Sequence, residues 1–208
     1  MNMRIKQIAE QRGIPHLVHF TRIDNLASIM QYGIIPIADT PSYGITPLVN
    51  DEYRWDGHRN ASCLSITHPN HSMFYSVRCN NPQTDWVVLI LHPSILWEKS
   101  CAFCYHNAAD ARISGQPLTQ HQNHQAFLKM FDEIDTIPSR EDQRLQSYDT
   151  TDVQAEVLVF GIIEPEYIIG AAFDKEKTKI ANENLLPHRQ ICLQAPGEGM
   201  FASRSYIR

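Results

Sequence analysis

At 208 residues, 43% of them apolar and 20% charged, the chain is long enough for one globular domain spanning residues 1–208, with a core that needs no disulfide staples. A net charge of −5 excludes a uniformly basic nucleic-acid binder but leaves room for a local basic groove. No apolar run approaches the ~20 residues that cross a bilayer, and Met1 to Gly13 is polar and charged without a signal-peptide core, so a cytoplasmic protein is expected.

Met1 to Arg12 reads as a short helix with Ile5 and Ile8 on one side, stopped by Gly13-Ile14-Pro15. Leu17 to Thr21 reads as a short strand. Asp24 to Tyr32 follows as a helix, with Leu26, Ile29 and Met30 at helical spacing, Asp24 as N-cap and Gly33 as the stop. Ala38 to Asn60 is rich in Pro, Gly, Tyr and Asp and has no periodicity. A loop that long in a compact domain tends to be functional. Cys63 to Thr67 is strand-like, His71 to Val77 a helical turn, and Trp86 to Leu91 a strongly buried strand ended by His92-Pro93. Ser94 to Trp97 begins a helix, with Ser94 as its cap. Cys101 to Gly115 is mixed, Gln116 to His124 polar, and Ala126 to Phe131 a helical segment with Phe127, Leu128 and Phe131 inward. A polar, charged stretch from Pro138 leads into a strand over Thr151 to Ile163. Pro165 to Phe173 is the last apolar segment, Asp174 to Asn184 a surface helix, and the arginines of the tail, Arg189, Arg204 and Arg208, are not diagnostic. The sum is α+β, with a core of mixed or antiparallel strands, short helices and long loops.

Five cysteines, an odd count at irregular spacing, point to free thiols in a reducing compartment. Cys101-Ala102-Phe103-Cys104 with His106 is half a zinc site. No second pair follows at finger spacing, so no metal is expected. The absence of Gly-x-Gly-x-x-Gly and of a phosphate-loop motif leaves Rossmann and P-loop sites unsupported.

Glu156 sits where the apolar run Val157 to Phe160 begins. A carboxylate at the mouth of a buried strand is costly unless a donor or a cation meets it; the plain alternative is a strand-edge acid in water. Two residues earlier lies Gln154, which strand geometry would put on the same face.

His19-Phe20-Thr21, Asp24-Asn25-Leu26, Gly33-Ile34-Ile35, Arg54 in the long loop, Leu64 to Thr67, Pro69 to Phe74 and Gln154 to Val159 occur in the order and spacing of the DarT family, which this chain resembles from about residue 14 to about residue 173. The resemblance implies an ADP-ribosyltransferase-like fold with a split central sheet. It also implies a bacterial toxin that transfers ADP-ribose from NAD+ onto bases of single-stranded DNA. The implied partner is a neutralising ADP-ribosyl hydrolase, and the expected state is a monomer. A single Arg54 followed by Asp56-Gly57, and the plain strand Cys63 to Thr67, are closer to the guanine-modifying branch than to the thymine-modifying one. RNA or protein as acceptor are the alternatives.

By that resemblance, Glu156 is the catalytic carboxylate, holding the 2′-hydroxyl of the nicotinamide ribose, and Arg54 is the catalytic arginine, with Arg59 as its rival. His19, Thr21, Asn25 and Gly33 belong to the NAD+ pocket, and Ser65, Met73 and Phe74 line its nicotinamide end. Met73 and Phe74 are equally readable as core, and Gly33 as a helix stop. Gln154 meets the acceptor base, while Arg140, Arg144 and Tyr148 meet the strand's phosphates and bases. Taken alone, the 140–152 segment is also readable as a solvated loop.

Overall fold

The elements in chain order are α1 (Met3–Arg12), β1 (Leu17–Arg22), α2 (Leu26–Tyr32), β2 (Ala61–Ile66), α3 (His71–Asn80), β3 (Trp86–Leu91), α4 (Ile95–Glu98), β4 (Ser100–Cys104), α5 (Ala111–Ser114), α6 (His124–Lys129), β5 (Glu156–Phe160), β6 (Ile168–Phe173), α7 (Glu176–Asn182), β7 (Gln190–Leu193) and α8 (Arg204–Ile207). They are taken from a computed structural model that describes residues 2–49 and 55–208. The strands form one seven-stranded sheet in the order β4–β5–β2–β1–β3–β6–β7. Every neighbouring pair is antiparallel except β6–β7, which is parallel, so the sheet is mixed and the class is α+β.

The feature that positions everything else lies between β1 and β2. These strands pair only at Leu17–Ile66 and Val18–Ser65 and then part. Beyond that point β1 stays with β3 as far as Arg22–Trp86. On the other side β2 stays with β5, from Leu64–Val157 to Ala61–Phe160. The sheet therefore opens as a V.

Strand periodicity explains the packing on either face. From β3, Val87, Leu89 and Leu91 join Leu17, Phe103 and Phe127 in the largest core. Trp86 and Val88 face the other way, onto Phe74 of α3 and Phe201. Phe74 is fully buried and stacks on Phe20 with ring centroids 4.5 Å apart. Two buried faces are why Trp86 to Leu91 reads as an unbroken apolar run.

The chain departs from its sequence pattern at several points. The strand expected from Thr151 begins only at Glu156, because residues 151–155 form a turn in which Asp152 accepts from the Gln154 N–H. Gln154 is thus not on a strand face with Glu156. Leu128 is 38% exposed while Phe127 and Phe131 point inward. Asn25, not Asp24, precedes α2, after a 3-10 turn over Ile23–Asn25. Strands β4 and β7 carry no clear sequence signal: each is short, and β7 is only half-buried at the sheet edge.

Gly33 ends α2 with φ 89°, and a Cβ there would stand 2.4 Å from the Ile163 carbonyl oxygen. The close approach allows the paired hydrogen bonds between Ile34 and Ile163, 2.9 and 3.0 Å. Gly33→Ala would add a strained backbone to a steric clash, so it is expected to cost about 2–3 kcal/mol. Denaturant unfolding checks this; a midpoint unchanged from wild type would show that the turn relaxes freely.

Candidate active site

The V between β1 and β2 is the floor of a deep cleft. Its walls come from β1 (Val18–Thr21), β2 (Ala61–Cys63 and Ser65), the start and end of α2, the 37–49 loop, Asp56, Asn70, Met73, Asn107, Ala109 and Glu156. Where the backbone ladder stops, a side chain spans the gap: His19 Nδ1 donates to the Cys63 carbonyl at 2.9 Å. Since a carbonyl only accepts, Nδ1 carries the proton of this bond.

Glu156 opens β5 opposite Cys104 and is 7% exposed. Asn107 Nδ2 donates to Oε1 at 3.1 Å, and the Ala108 N–H donates to Oε2 at 2.9 Å. Asn107 is itself pinned, its Oδ1 accepting from the Ala109 N–H at 3.0 Å. The 107–109 turn thus wraps the carboxylate and gives each oxygen a donor, as a buried carboxylate requires. The carboxylate's charge is felt nearby: burial first, then Glu156 and Asp56, push the Cys104 thiol up to about 12. Cys101, buried behind α4, is likewise pushed up to about 12 by burial. Both thiols are protonated packing groups at neutral pH.

The structure gathers most of the residues expected at the NAD+ pocket. His19, Thr21, Asn25, Gly33, Ser65 and Met73 line the same cleft as Glu156. Asn25 also ties the cleft together. It donates to Thr21 Oγ1 and to the Leu48 carbonyl, and its Oδ1 accepts from the Leu48 N–H, all at 3.0 Å. The long loop is clipped to the cleft by that amide. Phe74 is not on the wall; it serves the core behind Met73. Arg54 lies outside the described residues. Arg59 lines an adjoining cleft with Arg22, on the far side of residues 47–49. Asn107 escapes the sequence reading, because nothing in Tyr105 to Ala109 marks which residue will meet an acid in the distant β5. Asn70, also on the wall, appears in the sequence only as part of a matching motif; its Oδ1 caps α3 by accepting from the Met73 N–H at 3.2 Å.

The acceptor residues divide differently. Gln154 is exposed, two residues before Glu156, and is not among the residues that line the cleft. Arg144 is exposed, with φ 56°. Tyr148 is half-buried against the core, under the Arg208 guanidinium. Arg140 turns inward instead of toward solvent, donating to the carbonyls of Gln146 and Asp149 and to Thr151 Oγ1 at 2.7–2.9 Å. It folds the loop because those carbonyls have no strand partner. Asp149, fully buried, accepts from Arg208 Nε and Nη2 (2.6 and 2.9 Å), Thr67 Oγ1 (2.9 Å) and the Gln146 N–H (3.0 Å). Burial alone would raise this carboxyl, but the hydrogen bonds from Arg208, Gln146 and Thr67 hold it below the usual carboxylate range.

The fold has counterparts among solved structures. Thermosipho africanus DarTG in complex with ADP-ribose superposes with a TM-score of 0.63 at 13% identity, over 90% of this chain and 51% of that one. Thermus sp. 2.9 DarT in complex with ADP-ribosylated ssDNA gives 0.56 at 13% identity, covering 88% and 95%. The same Thermus protein in complex with NAD+ gives 0.53 at 12%, covering 87% and 96%. The chain spans about half the length of the Thermosipho chain. No curated protein matches it in sequence. The fold is that of an ADP-ribosyltransferase. The profile of one family, described as "ssDNA thymidine ADP-ribosyltransferase, DarT", matches residues 18–195. The chain belongs to the DarT family.

Asp149 gives this region a pH dependence whose sign is fixed. Its folded-state pKa lies below the unfolded one, so its contribution is full above the ordinary carboxylate range and is lost as pH falls through the depressed value. Hydrogen exchange across residues 139–152, corrected for intrinsic rates, is expected to accelerate in that acid window while β3 stays protected. Loop protection that does not change there would show that this carboxylate does not hold the loop.

Proposed function

We propose that the chain is an NAD+-dependent ADP-ribosyltransferase acting on single-stranded DNA, with guanine favoured over thymine as the acceptor base. The observation that carries this reading is a buried carboxylate, Glu156, held by two N–H donors in a cleft formed by a split sheet. Membership of the DarT family and the NAD+ and ADP-ribosylated ssDNA complexes of the Thermus neighbour support the co-substrate and the acceptor class. The guanine preference rests on the lone Arg54 before Asp56-Gly57 and on the plain Cys63 to Thr67 strand.

In this reaction the bond from ribose C1′ to the nicotinamide nitrogen breaks, and its electron pair leaves with the nicotinamide. A base nitrogen bonds to C1′ and loses a proton. Positive charge grows on the ribose as the first bond stretches, as in glycoside hydrolysis. Glu156 accepts a hydrogen bond from the 2′-hydroxyl, which strengthens as that charge grows, and it takes the proton from the incoming base. Asn107 and the Ala108 N–H keep the carboxylate aimed. His19 meets the ribose hydroxyls through its ring, Thr21 and Asn25 border the adenosine side, and Ser65 and Met73 border the nicotinamide. Arg54 steadies a phosphate or the reacting base. Gln154, exposed two residues before Glu156, reads the base edge, and Arg144 and Tyr148 meet the strand. A cytoplasmic monomer acting as a toxin, neutralised by an ADP-ribosyl hydrolase, completes the proposal.

Glu156→Ala is expected to lower transfer by ~10²-fold or more while the circular dichroism spectrum is kept. Asn107→Ala is expected to lower it by about tenfold, since it misaims a carboxylate that remains present. Both are read by mass spectrometry of oligonucleotides incubated with NAD+, each containing one varied base. Wild-type turnover by Glu156→Ala would remove the enzymatic reading. Adducts confined to thymine-containing strands would reverse the base preference alone.

A further inference from the structure

We infer that Arg204 and Arg208 are positioning residues for the DNA acceptor: through Asp149 and the 139–152 loop they set the place of Gln154 without taking part in NAD+ binding. The inference rests on the reading of the chain as a DNA ADP-ribosyltransferase.

The loop has no ladder of its own, so its carbonyls need other donors. Arg204, 4% exposed, supplies them through Nη1 to the Thr150 carbonyl at 2.7 Å and through Nη2 to the Thr151 carbonyl at 3.2 Å. Arg208 holds Asp149 with a two-point contact. That carboxylate also binds Thr67, a β-branched residue held at φ 61° just after β2. A left-handed Thr persists only where its surroundings impose it.

From there the hydrogen bonds run on toward Gln154. Thr150 Oγ1 donates to the Asp152 carbonyl at 2.8 Å. Asp152 Oδ1 accepts from the Gln154 N–H at 2.8 Å, and Oδ2 meets His106 Nδ1 at 2.6 Å. One residue past Gln154 is Ala155, and then Glu156. Arg204 and Arg208 lie outside the cleft lining, so their effect reaches the site through this chain of bonds. Burial pushes the Arg204 guanidinium down to about 10, which leaves it charged at neutral pH.

The test uses the full chain with Arg208→Ala, Arg208→Lys and Arg204→Lys, the lysine variants serving should Arg208→Ala fold poorly. NAD+ affinity is measured by calorimetry, and KM and kcat are measured with a single-stranded oligonucleotide. The expected result is an NAD+ Kd within about twofold of wild type and a kcat/KM for DNA lowered between about 10- and 100-fold. Arg208→Lys should recover part of the loss. Either of two results would overturn the inference: a kcat/KM for DNA equal to wild type in all variants, or NAD+ affinity falling in step with it. Wild-type protein that binds NAD+ and modifies no oligonucleotide would instead bring down the acceptor reading beneath it, together with this inference.

Discussion

The molecule depends on where a backbone ladder stops. Two central strands of a sheet ordinarily stay paired, because each unpaired N–H or carbonyl removed from water is costly. Here β1 and β2 part after Val18–Ser65, yet each remains fully paired on its outer side. The parting therefore opens one inner edge of each strand and leaves the sheet intact. His19 crosses the opening to meet the Cys63 carbonyl, so the gap is braced by a ring in place of a peptide bond's partner. The cleft, its depth and the residues on its walls all follow from that short ladder.

Glu156 is buried at the place where the opening meets β5, and its cost is offset locally. The Asn107 amide and the Ala108 N–H are neutral donors, so these two contacts hold the carboxylate without cancelling its charge. The Cys104 thiol, pushed up by burial and by the negative charges of Glu156 and Asp56, registers the field that results.

How much of this is legible in the sequence depends on the range of the interactions. Trp86 to Leu91 is readable because both its faces are apolar, and Gly33 because it ends a periodic helix. Of the residues expected at an NAD+ pocket, six meet with Glu156 on one cleft, while Phe74 retreats into the core. What stays hidden is set by distant partners. Arg140 looks like a phosphate ligand because its sequence neighbours are polar; the carbonyls that draw it inward become visible only once the loop has closed. Arg204 and Arg208 look undiagnostic because Thr150 and Asp149 lie more than fifty residues away in sequence. Gln154 is placed on a strand face by a period-two argument that fails where the backbone turns before Glu156. Strands β4 and β7, five and four residues long, are too short for periodicity to register.

The amide of Asn25 is engaged with protein on both of its donors, and the Leu48 backbone it holds belongs to the wall of the cleft. An incoming nucleotide that reaches for this side chain must compete with the main chain already bound to it. Occupancy and tethering then draw on the same few atoms, so a guest that wins them releases Leu48 from the wall it helps to form.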